Sequence, residues 1–234
     1  IFFRHQTVTG TECFLLTAVL ARGRTILKNC ALEPEIASLG AFLLRQGAKI
    51  KGLGTTTLVI DGGPLLGAKN PIYEIIPDRI EAGSFLILGA LATRELTVTH
   101  CAPEHLDAII AFLRLAGATL TIGKRQVTVS AKSDQVYRGL NLKTHEYPGF
   151  PTDLQALMAV FLTQATGESR IFETIFEGRL GYLETLVRMG AKIDIHNQHQ
   201  ATISGPTRLT GREVTSPDLR AGLAYLIAGL IATG

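Results

Sequence analysis

Two arginines follow the predicted starts of apolar helices, where each could bind an anion. Each comes after a Pro-Asp pair, Arg79 directly and Arg220 after one further residue. A guanidinium group recognises phosphate or carboxylate in a planar, bidentate geometry, and a helix N-terminus adds free amides and positive potential. A single arginine in such a place is more often part of a surface ion pair. The two together favour an anion-binding cleft.

A third predicted helix start, in the stretch from His145 to Gln155, carries a carboxylate. Pro148 and Pro151 fix φ and keep the preceding residues extended, so we predict an extended loop that leads into a helix. Thr152 or Asp153 is the predicted N-cap, because its side-chain oxygen can accept hydrogen bonds from the first free amides. A capped helix start is the simple interpretation. The charged residues at the other helix starts favour a functional one.

Composition excludes several functional classes. With 234 residues, 46% of them hydrophobic and 18% charged, the chain is globular and long enough for one large or two modest domains. The net charge of +3 comes from scattered basic residues, which argues against a nucleic-acid surface and suits an anionic small molecule better. No apolar run reaches the roughly 18 residues of a membrane span. We therefore predict no nucleic-acid partner and no membrane partner.

The cysteines and histidines do not form a typical metal-site pattern. Cys13, Cys30 and Cys101 share no CxxC spacing, and they are predicted to be reduced thiols of a cytoplasmic protein. Cys13 falls in a helix predicted to be buried, where a thiol is inert. His196 and His199 fall between two predicted strands, so a polar hairpin turn is favoured over a metal site. We predict that no metal is bound.

One structural unit repeats along the chain. Gly47, Gly117 and Gly190 each close a predicted helix and open a strand, which is typical of a left-handed C-cap. Around each glycine the predicted order is helix, strand, helix, strand, strand, and an incoming strand completes a βαβαββ unit. Almost three copies are present and a fourth begins. The predicted first helices are Glu12–Arg22, Ile80–Thr93, Leu154–Thr166 and Leu219–Ala232; the strands after them are Thr25–Asn29, Leu96–His100 and Ser169–Thr174; the second helices are Glu35–Gln46, Glu104–Ala116 and Arg179–Met189; the final strand pairs are Ile50–Gly52 with Thr56–Ile60, Leu120–Ile122 with Gln126–Ser130, and Ile193–Ile195 with Ala201–Ser204.

The first helix of each unit is apolar nearly all round, whereas the second is amphipathic. A helix without a polar face must be buried on all sides. We therefore predict that Phe14–Ala21, Phe85–Ala92 and Leu154–Leu162 lie buried at the centre of an α/β fold, with their N-termini gathered at one end. That end would suit phosphate or carboxylate groups.

Six motifs occur along the chain in an order that matches one protein family. They are Val8-Thr-Gly-Thr-Glu12, Glu33-Pro-Glu-Ile36, Pro77-Asp-Arg-Ile-Glu-Ala-Gly83, Tyr147-Pro-Gly-Phe-Pro-Thr-Asp-Leu-Gln155, Phe172-Glu-Thr-Ile-Phe-Glu-Gly-Arg179 and Asp218-Leu-Arg-Ala221. With them the chain resembles the UDP-N-acetylglucosamine 1-carboxyvinyltransferases, which are enolpyruvyl transferases of the EPSP synthase superfamily. The resemblance spans essentially the whole chain.

The resemblance implies inside-out α/β barrel-like domains, two per enzyme, each built from three βαβαββ units. Residues 1–76 would then form the last unit of the first domain. Residues 77–234 would form the second domain, as two units and the start of a third. The stretch Lys69-Asn70-Pro71 is the predicted crossing between domains. Both chain ends are expected to continue in a longer protein.

The reaction implied by the resemblance is transfer of enolpyruvyl from phosphoenolpyruvate to the 3-hydroxyl of UDP-N-acetylglucosamine. It is the first committed step of peptidoglycan synthesis, on which cell-wall biogenesis, cell shape and cell division depend. The implied location is the cytoplasm, and no metal or organic cofactor is implied. Sequence leaves the oligomeric state open.

The resemblance also assigns roles to individual residues. Asp153 matches the proposed general base for the sugar hydroxyl, and Arg179 and Arg220 match arginines that act on the bound substrates. The implied substrate-binding positions are Thr7, Val8 and Thr9 for the uridine diphosphate part, Ile175 for a backbone contact to the nucleotide sugar, and Arg79 for an anion.

Several residues depart from the family pattern. Gly178 stands in place of the usual asparagine, Leu180-Gly181-Tyr182 in place of phenylalanine-x-histidine, Leu32 in place of arginine, and His5 where many members carry lysine. The changes around Arg179 motivate one alternative, a degenerate copy that binds the nucleotide sugar, or a partner, without catalysis. The other alternative is 3-phosphoshikimate as the acceptor on the same fold, against which the motifs Phe150-Pro-Thr-Asp153 and Pro77-Asp-Arg79 argue. The family's Lys-Asn pair and its loop cysteine lie outside the chain, so we expect these 234 residues to be inactive by themselves.

Overall fold

A computed structural model describes residues 1–64, 67, 72–132, 134–216 and 218–234. The predicted crossing at Lys69-Asn70-Pro71 lies outside the described residues, as does Pro217. The chain divides into two packed units, one of residues 1–76 with 146–148 and the other of residues 77–145 with 149–234. That these units belong to the two domains of a longer enzyme stays a prediction.

The first unit contains two helices and one sheet. Its elements are α1 (Val8–Ala18), β1 (Gly23–Lys28), α2 (Pro34–Arg45), β2 (Lys49–Lys51) and β3 (Thr57–Gly62). The strands are antiparallel in the order β1-β3-β2. An isolated parallel bridge joins Phe2 to Lys28, where an incoming strand of the repeat is predicted.

The second unit contains two copies of the same pattern and the start of another. Its helices are α3 (Arg79–Ala92), α4 (Asp107–Leu115), α5 (Gln155–Thr163), α6 (Leu183–Arg188) and α7 (Leu219–Ile231). Its strands are β4 (Glu95–Thr99), β5 (Thr119–Ile122), β6 (Gln126–Ser130), β7 (Leu142–Lys143), β8 (Gly167–Phe172), β9 (Lys192–Asn197) and β10 (Gln200–Gly205). Short 3-10 turns at Pro103–His105, Thr152–Leu154 and Arg179–Tyr182 precede α4, α5 and α6. Among the described residues, no helix is long and apolar enough to cross a bilayer.

The sheets confirm the predicted repeat. Strand order is β4-β6-β5 in one sheet and β7-β8-β10-β9 in another, so the order found in the first unit recurs twice. The short incoming strand β7 runs parallel to β8, and the other pairings are antiparallel. Gly47, Gly117 and Gly190 have φ of +100°, +102° and +104°. This left-handed conformation, which glycine adopts without strain, ends the second helix of each unit as predicted.

The central helices of the second unit are largely buried as predicted, although Ala92 at the end of α3 and Leu226 and Leu230 in α7 are exposed. All nine residues of α5 are buried, and α5 packs against α3 and α7. Each large apolar side chain buried between these three helices stabilises the fold by roughly 1.5–3 kcal/mol. Phe85 is an exception within the predicted segment, with 42% of its surface exposed. The cluster forms a rigid base beneath the N-terminal ends of the helices.

The prediction that Phe14–Ala21 is buried is wrong. In α1 only Thr11, Leu15 and Ala18 are buried, while Phe14 is 42% exposed. Cys13, predicted to be buried and inert, is exposed as well. The reason lies in the number of neighbours: α1 is the one apolar first helix in its unit, whereas α5 is flanked by two others in the second unit.

Candidate functional site

The starts of α3 and α7 place two arginines by the same device. Asp78 caps α3, and its Oδ1 accepts hydrogen bonds from the amides of the second and third helical residues at 2.7 and 3.1 Å. Asp218 caps α7 identically, at 2.7 and 3.0 Å. An aspartate N-cap offsets the free amides and favours the helix start by about 1 kcal/mol. Arg79 therefore begins α3, and Arg220 lies in the first turn of α7.

The start of α5 is built differently, and the predicted N-cap there is wrong. Thr152 and Asp153 lie in a 3-10 turn, and within the described residues neither side chain caps a helix amide. Their oxygens instead meet the guanidinium groups of Arg179 and Arg220. Charge-assisted bonds of this kind are about twice as strong as neutral ones, so they outcompete the cap.

Asp153 lies between two arginines that come from distant parts of the chain. Its Oδ1 accepts from Arg220 Nε at 2.8 Å and from Arg179 Nη1 at 3.3 Å. The side chains of Asp153, Arg179 and Arg220 are 32%, 17% and 42% exposed, so the cluster opens to solvent on one side. The structure thus brings together the three residues predicted to be catalytic, and their roles stay predictions.

A second layer of polar contacts holds Arg179. Its Nη1 donates to Thr152 Oγ1 at 2.6 Å, and Thr152 Oγ1 donates to Glu173 Oε2 at 2.8 Å. Glu173 is fully buried. Its other oxygen, Oε1, accepts from the amides of Ile175 (2.8 Å) and Phe176 (3.1 Å). The guanidinium carbon of Arg179 lies 4.3 Å from the centre of the Phe176 ring, a cation–π contact.

Glu173 is a residue that sequence reasoning missed, although a signal was present. Ser169, Ile171 and Glu173 alternate along β8 and just beyond it, and all three are buried. Successive side chains of a strand point to opposite faces, so the same period places Glu173 on the inner face. A buried acid at the end of a strand then requires hydrogen-bond donors nearby.

The remaining predicted positions are divided between the two units. Arg79 is half-buried in the second unit. The first turns of α3 lie close to the 152–154 turn: Gly83 approaches Leu154 so closely that a Cβ on the glycine would lie 2.6 Å from a leucine methyl group. The amide of Ile175 is taken by Glu173, so a backbone contact from Ile175 to a ligand would use its carbonyl. Thr7, Val8 and Thr9 belong to the first unit, where the hydroxyl of Thr7 accepts from the amide of Gly10 at 3.2 Å and caps α1.

Comparison with known protein families identifies the family of this chain. The model of the EPSP synthase (3-phosphoshikimate 1-carboxyvinyltransferase) family matches residues 1–234. The chain belongs to this family. The match confirms the fold class inferred from the repeats and motifs.

Relatives and solved structures of the EPSP synthase family agree with this. The chain is 44% identical over 234 residues to a UDP-N-acetylglucosamine 1-carboxyvinyltransferase of Solibacter usitatus (strain Ellin6076), covering 100% of the chain and 55% of the relative. It is 46% identical over 235 residues to the protein of that name in Desulfatibacillum aliphaticivorans, again covering 100% and 55%. The enolpyruvyl transferase NikO from Streptomyces tendae superposes with a TM-score of 0.82 at 24% identity, over 96% of this chain and 53% of that one. An EPSP synthase from Acinetobacter baumannii gives 0.66 at 20% identity, over 100% and 56%. The chain therefore spans about half the length of the relatives it matches.

One expected departure from the 1-carboxyvinyltransferase pattern, glycine for asparagine at position 178, is compatible with the backbone geometry. Gly178 has φ +71° and precedes the 3-10 turn that carries Arg179. This left-handed conformation is open to glycine and, among other residues, best tolerated by asparagine and aspartate. The glycine therefore preserves a backbone that places Arg179 beside Asp153.

Tyr182, expected to be histidine in the family pattern, places a hydroxyl group in the interior. Its hydroxyl is buried and has no hydrogen-bond partner among the described residues. Burial raises the pKa of Tyr182 well above its usual range, and the negative charge of Glu173 acts in the same direction. The tyrosine therefore stays neutral and packs behind the cluster.

The prediction that both histidines lie in a polar turn is only partly right. His199 lies in the turn between the antiparallel strands β9 and β10, whereas His196 lies within β9, its Nε2 2.8 Å from Thr202 Oγ1. The carbonyl of His199 accepts from the amide of Glu173 at 2.8 Å, and Nδ1 of His199 lies 3.0 Å from the carbonyl of Glu173, to which it can only donate. No group of three or more potential metal ligands is found within the described residues. The hairpin instead secures the backbone of Glu173.

Proposed function

We propose that the complete protein transfers the enolpyruvyl group of phosphoenolpyruvate to the 3-hydroxyl of UDP-N-acetylglucosamine and releases phosphate. One observation carries the proposal: the Asp153 carboxylate lies within hydrogen-bonding distance of Arg179 and Arg220, at the gathered starts of apolar helices. Relatives that are 44% and 46% identical are named UDP-N-acetylglucosamine 1-carboxyvinyltransferases, which supports this acceptor. The proposal concerns the whole protein, of which this chain spans about half the length of its relatives.

The proposed chemistry uses Asp153 as the proton acceptor. As Asp153 takes the proton of the 3-hydroxyl, the sugar oxygen bonds to C2 of phosphoenolpyruvate and a general acid of the complete protein gives a proton to C3. In the resulting tetrahedral adduct a general base takes a proton from C3, the C2–C3 double bond re-forms, the bond between C2 and the phosphate oxygen breaks, and phosphate leaves. A side chain acting as general base contributes typically 10²–10⁴-fold.

Arg179 and Arg220 supply positive charge for the anions of the substrates. Preorganised cations at the position where charge develops are among the largest contributions to catalysis. Both guanidinium groups pair with Asp153. A phosphate or carboxylate group of a substrate would compete for them and leave the Asp153 oxygens to the sugar hydroxyl. Arg79 would add a third cation from the start of α3.

The proposed positions for the nucleotide sugar are those that the family resemblance implies. Thr7, Val8 and Thr9 would bind the uridine diphosphate part, and the carbonyl of Ile175 would contact the sugar. On this proposal, residues 1–76 are the last unit of the first domain and residues 77–234 belong to the second. No cofactor is required, and the reaction would serve peptidoglycan synthesis in the cytoplasm, with cell shape and division depending on it.

Release of inorganic phosphate by the complete protein tests the proposal. Phosphoenolpyruvate should yield phosphate with UDP-N-acetylglucosamine and not with 3-phosphoshikimate, which the family description names. Phosphate release with 3-phosphoshikimate alone would assign the other acceptor. Tight binding of the nucleotide sugar without turnover would identify a degenerate copy.

A further inference from the structure

Glu173 is a buried carboxylate that takes no part in the chemistry described above. It is fully inaccessible to solvent, and a carboxylate in that position costs free energy unless its oxygens accept hydrogen bonds. Three donors meet it: the amides of Ile175 and Phe176 on Oε1 and the hydroxyl of Thr152 on Oε2. Its backbone is tied on both sides to His199. Glu173 is therefore held in place independently of any ligand.

The bond between Glu173 and Thr152 determines how Thr152 meets Arg179. A hydroxyl has a single proton to donate, and a carboxylate can only accept, so the proton of Thr152 points to Glu173 Oε2 at 2.8 Å. The lone pairs of Thr152 Oγ1 are then directed to Arg179 Nη1, at 2.6 Å. The orientation of the Thr152 hydroxyl thus links the buried Glu173 carboxylate to the position of the Arg179 guanidinium group.

We propose that Glu173 is a positioning residue that orients Thr152 and, through it, holds Arg179 at the candidate active site. The proposal rests on the enolpyruvyl-transfer function proposed above. Glu173 has no contact with the substrates in this scheme and acts only through Arg179. Glu173 also accepts a hydrogen bond from the backbone amide of Phe176, and the ring of Phe176 lies against the Arg179 guanidinium. The described contacts of Arg179 with Thr152 and with Phe176 therefore both involve residues that Glu173 holds.

Variants of the complete protein test the chain of contacts. Glu173→Gln presents an amide group that donates to Thr152, which turns the hydroxyl proton towards Arg179 and replaces attraction by repulsion. Thr152→Val removes the hydroxyl, and Thr152→Ser retains it. A displacement of a catalytic group by about 1 Å can lower the rate 10²-fold. We therefore expect kcat/KM to fall roughly 10- to 100-fold in Glu173→Gln and Thr152→Val, and to stay within about threefold of wild type in Thr152→Ser.

Two further comparisons separate positioning from general loss of structure. Contacts in one network are not additive, so Glu173→Gln combined with Thr152→Val should lose little more than either alone. Thr163→Val is the matched control, because Thr163 is a fully buried threonine at the other end of α5 whose hydroxyl donates to the Val160 carbonyl. An equal loss of kcat/KM in Thr163→Val, or full multiplicative loss in the double variant, would overturn the proposal.

A crystal structure of each variant without substrates gives a readout that does not depend on activity. We expect the Arg179 guanidinium to be displaced in Glu173→Gln and Thr152→Val while the backbone of α5 superposes on that of the wild type. An unmoved guanidinium overturns the positioning role even if turnover falls. Absence of phosphate release from the wild-type protein would instead refute the proposed function, and the displacement of Arg179 would still decide the role of Glu173.

Discussion

Replacement of Asp153 by asparagine should separate catalysis from stability. Asparagine has almost the same shape and keeps one acceptor oxygen for Arg220 Nε, which lies 2.8 Å from the aspartate oxygen. It cannot accept the proton of the sugar hydroxyl. The side chain caps no helix amide within the described residues, so the substitution affects the arginine pairs and not the start of α5.

The expected loss of stability is small. The pair with Arg220 is partly exposed, at 32% and 42%, and exposed pairs contribute about 0.2–1 kcal/mol. The pair with Arg179 is longer, at 3.3 Å, and adds a similar amount. Since asparagine still accepts a neutral hydrogen bond, we expect a net loss of about 1 kcal/mol. For a unit of this size, that lowers Tm by about 2–4 °C.

The expected loss of turnover is much larger. On the proposed role of Asp153 as general base, the reaction should slow by roughly 10²–10⁴, which is about 3–5 kcal/mol in the activation barrier. The assay is phosphate release by the complete protein under saturating substrates, with Tm measured on the same samples. Asp61→Asn is the control, because Asp61 also pairs with an arginine, Arg24, at 2.6 Å, but lies outside the site. Turnover of the Asp153 variant within about threefold of wild type would refute the role of base.

Two other predictions concern the burial of a tyrosine hydroxyl and of the three thiols. Tyr182→Phe removes a buried hydroxyl that lacks a partner within the described residues, so stability should be unchanged or rise by about 1 kcal/mol. Because the folded state raises the pKa of Tyr182 above its unfolded value of about 10, wild-type stability should fall as pH rises beyond that value; a denaturation midpoint that falls equally in Tyr182→Phe would contradict this. In the 234-residue chain, Cys13 is exposed while burial raises the pKa of the Cys30 and Cys101 thiols. A brief pulse of iodoacetamide at pH 8, read by mass spectrometry, should therefore label Cys13 first, and equal labelling of all three thiols would rule out the described burial.

Local backbone chemistry was predictable from sequence because it depends on neighbouring residues alone. Gly47, Gly117 and Gly190 revealed the repeat, since a left-handed helix end strongly favours glycine. The aspartate caps at Asp78 and Asp218 follow from the same local rule. Strand order could be extended from one unit to the next by repetition.

Features that depend on distant partners were not predictable in the same way. The cap at Thr152 or Asp153 obeys a local rule, but arginines 26 and 67 residues away take the oxygen of Asp153 instead. The burial of Phe14 depends on which helices share its unit, and an apolar sequence cannot report that. Glu173 was detectable in principle from the alternation along β8, yet its partner Thr152 lies 21 residues away.

One oxygen of Asp153 accepts hydrogen bonds from both Arg179 and Arg220. On the proposed function, the carboxylate of Asp153 and the anionic groups of a substrate would compete for the same two guanidinium groups, and thermodynamic linkage would make their effects reciprocal. A substrate that binds the arginines would free the carboxylate, and pairing of the carboxylate with the arginines would weaken substrate binding. In the complete enzyme, the proton acceptor would then become available only once an anion has arrived, so that binding itself would time the chemical step.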